Sequence, residues 1–122
     1  MGLDHRISVK DRSGELLKEY WFRKVNCLQG YMEVKYKVEN CVDEIMTFDD
    51  ICYLNDVAIK ILESRSIELG KVLLPIQTGF FYGNYEYNEF YFDDIATVLG
   101  ATSDILENFN EKDHHLVYWC WY

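Results

Sequence analysis

Residues 15–36 read ELLKEYWFRKVNCLQGYMEVKY, with Leu17, Trp21, Val25, Leu28 and Met32 at intervals of three or four. That spacing is one face of an α-helix, so a helix is expected from Glu15 to about Tyr36. Gly30 interrupts it. A mid-helix glycine costs roughly 1 kcal/mol relative to alanine, and it lets another backbone or a ligand come close. On such a helix Arg23 and Asn26 lie at i and i+3, with Gln29 three residues further. Arginine beside an amide side chain suits an anion and a base edge.

Upstream, residues 3–10 alternate, with Leu3, His5, Ile7 and Val9 on one side. That period predicts a strand, and residues 11–14 (DRSG) predict a turn. Downstream, Thr47 is an N-cap with Asp50 three residues on, and Met46 and Ile51 flank it as a hydrophobic staple. The helix it opens has the stripe Ile51, Leu54, Ala58, Ile61 and Leu62. Asp49 and Asp50 suit the positive end of its dipole. A third helix is expected from near Asn88, with Phe92, Ile95, Val98, Leu99, Thr102, Ile105, Leu106 and Phe109 on one face and Gly100 weakening its middle. The FDDI runs at 48–51 and 92–95 echo each other, as two amphipathic helices with similar starts would.

Residues 114–122 (HHLVYWCWY) have strand composition and the length to pair with the first strand. The expected fold is α+β, one domain over residues 1–122. Three helices pack on a small antiparallel sheet formed by the N- and C-terminal strands.

Composition restricts function. The formal charge of -9 disfavours direct binding to nucleic-acid phosphates. An acidic domain is suited instead to a basic groove on another protein. The first residues lack the apolar core of a signal peptide, and no run reaches the length of a membrane span, so a cytoplasmic protein without membrane contact is expected. The 4 cysteines (Cys27, Cys41, Cys52, Cys120) are scattered, which predicts buried thiols and no metal.

Catalytic signatures are missing: there is no phosphate loop, nucleophile elbow or zinc-binding helix motif. His5, His114 and His115 are expected at the surface, because paired end strands would bring only one of the last two beside His5. The acid pairs Asp43-Glu44, Asp49-Asp50 and Asp93-Asp94 are read as helix-start or solvated charges. Neither an enzyme nor a cofactor is expected.

The rings of residues 78–87 (TGFFYGNYEY) fit neither a helical nor a strand period. Tyrosine and tryptophan offer stiff area with a polar tip. Such area serves base stacking and protein hot spots equally.

Three segments carry a resemblance: YWFRKVN (20–26), LLPIQTGFFYG (73–83) and YNEFYFDDI (87–95). Together they resemble a family of small acidic phage and prophage proteins. That family has a YWRKAN-like helix and an LLPxxSGFFFG-like aromatic loop, and its members begin Gly-Leu-Asp, as residues 2–4 do here. Where the family carries a histidine after its asparagine, this chain has Gln29, so chemistry through that histidine is not implied. The resemblance implies a phage accessory protein in an infected bacterial host, a setting in which such proteins often antagonise defence.

Two binding functions are therefore expected to compete. In one, the chain sequesters a nucleotide-like immune signal. Its ligand set would be Tyr20, Trp21, Arg23, Asn26, Gln29, Gln77, Thr78, Phe80, Phe81, Tyr82, Tyr85 and Tyr87. In the other, its acidic, aromatic surface blocks a host defence protein such as a nuclease or a CRISPR effector. The ring-rich end, residues 118–122, also offers a homodimer surface.

Overall fold

A computed structural model describes residues 2–77 and 86–122. The elements run β1 (Asp4–Asp11), β2 (Leu16–Arg23), α1 (Asn26–Tyr36), β3 (Glu44–Met46), α2 (Phe48–Ser64), α3 (Ile67–Leu73), α4 (Glu89–Asn108) and β4 (His114–Trp121). The fold is α+β: four antiparallel strands in the order β2-β1-β4-β3, with four helices.

The expected pairing of the end strands is the centre of this sheet, running from Asp4 opposite Trp121 to Asp11 opposite His114. The sheet is wider than expected because the segment 15–36 is not one helix. Its first half is β2, paired with β1 so that His5 faces Phe22 and Ile7 faces Tyr20. The turn at residues 11–14 explains this. Asp11 Oδ1 accepts from the Ser13 N–H and the Glu15 N–H, each at 2.9 Å, and Gly14 takes φ 90°. These bonds fold the chain straight back along β1 as a hairpin. Tyr20, Trp21 and Phe22 are good strand formers, and pairing of a whole strand outweighs a helical spacing with no cap at its start. Lys24, in the left-handed region at φ 54°, then redirects the chain into α1.

α2 begins as expected. Thr47 Oγ1 accepts from the Asp50 N–H, and Asp50 Oδ2 accepts from the Thr47 N–H at 2.8 Å. α4 opens on Asn88, whose side chain accepts from the Phe90 N–H at 3.0 Å. The fourth helix, α3, falls in a segment expected as loop, and Ser66 caps it by accepting from the Leu69 N–H. Gly70 in α3 is required by packing, since a Cβ there would sit 2.4 Å from Tyr91 Oη. The FDDI echo is not kept in space. Phe48 starts α2, whereas α4 already starts at Glu89, so Asp93 and Asp94 lie beyond its first turn.

The core lies between the inner face of the sheet and the helices. Ile7, Phe22, Leu116 and Tyr118 meet Leu28, Met32, Ile51, Leu54, Ile61, Ile95 and Ile105, all buried. No described helix is long and apolar enough to cross a membrane.

Candidate functional site: the outer face of the sheet

Alternation along the strands leaves Asp4, Arg6, Ser8 and Lys10 of β1 on the face away from the helices. Their cross-strand partners extend the rows. Arg23, Asp4 and Trp121 form one, and Trp21, Arg6 and Trp119 the next. Glu19, Ser8, Val117 and Ile45 follow. In the middle row the Arg6 guanidinium lies 4.5 Å from the Trp119 ring centre and 5.3 Å from that of Trp21. The two indoles meet edge to face, with centres 6.2 Å apart. Trp21, Trp121 and Ile45 are each more than half exposed, at 56%, 52% and 56%. No described helix covers this face. Its charges are Arg6, Lys10 and Arg23 against Asp4 and Glu19, a slight basic excess on a chain with 21 acidic and 12 basic residues.

The residues expected to share one ligand site are dispersed. Trp21 and Arg23 lie on this outer face, where Arg23 is 3.6 Å from Asp4. Tyr20, one residue away on a strand, points to the other side and donates its hydroxyl to Asp104. It borders a cleft of about 270 Å³ with Lys18, Phe109 and His114. The Asp104 carboxylate also takes the Lys18 ammonium at 2.6 Å, so the polar ends in this cleft are already engaged.

Asn26 and Gln29 are buried in α1, so the stripe Arg23–Asn26–Gln29 is not formed: Arg23 ends β2, and the turn at Lys24 separates it from the other two. Gln77 packs on Gly30, where a Cβ would come within 2.7 Å of the Gln77 Cβ. The close approach allowed by that glycine is thus made by this chain itself. The Tyr87 hydroxyl accepts from the Ile76 N–H at 3.0 Å and its ring tilts on Tyr91. Thr78, Phe80, Phe81, Tyr82 and Tyr85 lie outside the described residues.

His5 is not at the surface. It is fully buried, its Nε2 accepts from the Val25 N–H at 3.2 Å, and its Nδ1 is 2.6 Å from the Tyr118 hydroxyl. Tyr118 donates to Gln29 Oε1, and Gln29 Nε2 reaches Glu33 at 3.1 Å. Burial pulls the His5 pKa down to about 3. The chain of bonds is a satisfied structural lock rather than a proton donor for chemistry.

Asp50 is more than a helix-start charge. It is buried and accepts from Tyr31 at 2.6 Å, from Tyr36, from Lys35 and from Thr47. Burial alone would raise its pKa, but these donors hold it at about 2. Asp94 has the opposite environment. Burial, with Asp93 beside it, raises its pKa to about 7. No cluster of metal-ligating residues occurs among the described residues.

Arg6 has no site signal of its own in the sequence, and Trp119 and Trp121 enter only within the ring-rich end 118–122. The signal was available: in paired end strands, position 6 faces position 119, and 119 and 121 share a face. Compared with known protein families, with curated proteins and with solved structures, the chain matches none.

Proposed function

We propose that this chain is a non-catalytic binding protein that docks a partner protein through the outer face of its sheet. The observation that carries this reading is the row Trp21–Arg6–Trp119, in which an arginine is held between two indoles on a face without a covering layer. Tryptophan and arginine dominate the energy of protein interfaces when they sit at the centre of a patch. A stack of free nucleobases fits this row less well, because Arg6 already occupies the Trp119 ring. The phage setting implied by the resemblance makes the partner a host defence protein, such as a nuclease or CRISPR effector. The test is protection: Trp119→Ala and Arg6→Ala should each weaken partner binding about 30-fold or more, with circular dichroism unchanged.

Sequestration of a nucleotide-like signal is the second reading. Of its expected ligand set, Gln77 and Tyr87 are already engaged within the chain, against α1 and α4, which makes it the weaker of the two. A thermal-shift screen with cyclic dinucleotides separates the two. A tight ligand raises the melting point, and a chain that only docks proteins gives no shift.

A further inference from the structure

We infer that two copies of this chain join through β2, pairing edge to edge into a continuous antiparallel sheet of eight strands. β2 is eight residues long and is the terminal strand of the sheet. Among the described residues nothing pairs with its outer side. The far edge is closed differently, by the short β3 and by Asn40 and Cys41, which bond to Tyr122 and Cys120. A long open edge is a template for another strand.

The register follows from two observations. First, the Lys24 N–H donates to the Leu3 carbonyl at 2.8 Å. Bonded pairs alternate along an antiparallel ladder, so Phe22, Tyr20 and Lys18 bond to β1, and the N–H and C=O groups of Glu19, Trp21 and Arg23 point to the open edge. Second, the side chains of these three residues share the outer face. A two-fold pairing that sets Trp21 opposite its own copy places Glu19 opposite Arg23 of the other copy, twice. Sliding one strand by two residues sets Glu19 or Arg23 against Trp21 and forms no opposite-charge pair, and sliding it by four sets Glu19 against Glu19 or Arg23 against Arg23. Directly opposed opposite charges stabilise a strand pair and like charges destabilise it, so the edge is self-complementary in the first register. The aromatic row then runs on through the two-fold as Trp119–Arg6–Trp21 and its mirror. This assembly does not depend on what the outer face binds.

Sedimentation velocity over a concentration series tests it on the full chain. The wild type should dimerise. Glu19→Arg alone and Arg23→Glu alone should each raise the dimer dissociation constant about tenfold, since each sets like charges opposite one another. The double variant should recover the wild-type value. In a Cys41→Ser background, Trp21→Cys should oxidise to a covalent dimer, because bonded antiparallel pairs bring Cα atoms to about 5.5 Å, within disulfide reach. Glu19→Cys should not. A monomer at every concentration would overturn the inference, leaving Lys18, Glu19 and Arg23 as charges that guard a bare edge. So would a dimer indifferent to the charge swaps.

Discussion

His5 donates its Nδ1 proton to the Tyr118 hydroxyl, 2.6 Å away on the neighbouring strand. The Val25 N–H occupies the other ring nitrogen, which fixes this tautomer. Tyr118 therefore passes its own proton on to Gln29, and a line of directed bonds ties β1, β4 and α1 together in the core. Removing the hydroxyl breaks it twice. Tyr118→Phe should cost about 3 kcal/mol, because a buried donor and a buried acceptor both lose their partner. Urea denaturation measures this, and a loss below about 1 kcal/mol would mean that water repairs the gap.

A buried group and a half-buried one titrate in opposite senses. His5 has its pKa lowered by burial to about 3, so its contribution is complete above its ordinary value near 6.5 and is lost as pH falls. Asp94 has its pKa raised by burial to about 7, so its contribution is complete below its ordinary value near 4 and is lost as pH rises. Between about pH 4 and pH 6.5 the two slopes oppose each other, and the wild type should change little in stability. Asp94→Asn should uncover the histidine: stability should then fall by about 1.4 kcal/mol per pH unit on acidification through that window. The urea midpoint against pH reads this out, and an equally flat curve for the variant would contradict it.

Gly30 and Gly100 both interrupt helices, but for different reasons. An added Cβ at Gly100 meets nothing within 4 Å, whereas one at Gly30 collides with Gln77. Gly100→Ala should therefore stabilise by about 0.5–1 kcal/mol. Gly30→Ala should destabilise by about 1–2 kcal/mol, overpacking outweighing helix propensity. Thermal melts of the two variants should move in opposite directions.

Asp50→Ala should be more damaging than loss of an ordinary cap. It removes half of the capping box and leaves Tyr31, Tyr36 and Lys35 without their shared acceptor. The expected loss is about 2–4 kcal/mol, against about 1 kcal/mol for Thr47→Ala. Chemical denaturation of both variants checks the ranking.

The legible parts of the fold were those decided locally. Thr47 and Asp50 reveal a helix start because the capping box is closed within four residues. Leu3 to Val9 and the tail reveal strands because their alternation is uninterrupted. Residues 15–36 mimic one helix because Leu17, Trp21, Val25, Leu28 and Met32 keep helical spacing across a strand, a turn and a helix. Only the hairpin bonds of Asp11 and the pairing with β1 resolve the ambiguity, and the second is non-local. The candidate site suffered the same way. Trp21 and Arg23 are exposed, but a helix would give them Asn26 and Gln29 as neighbours where the sheet gives them Arg6 and Asp4. α3 leaves little trace in the sequence because its 7 residues are too few for a period, and its one local sign is the Ser66 cap.

The proposed docking through the outer face is tested most directly by affinity capture from lysate of the proposed bacterial host, with wild type, Trp119→Ala and Arg6→Ala compared at equal fold content. Docking through the Trp21–Arg6–Trp119 row predicts a discrete partner held by the wild type and lost by both variants. The same partner retained by both, or no partner at low salt, would contradict it.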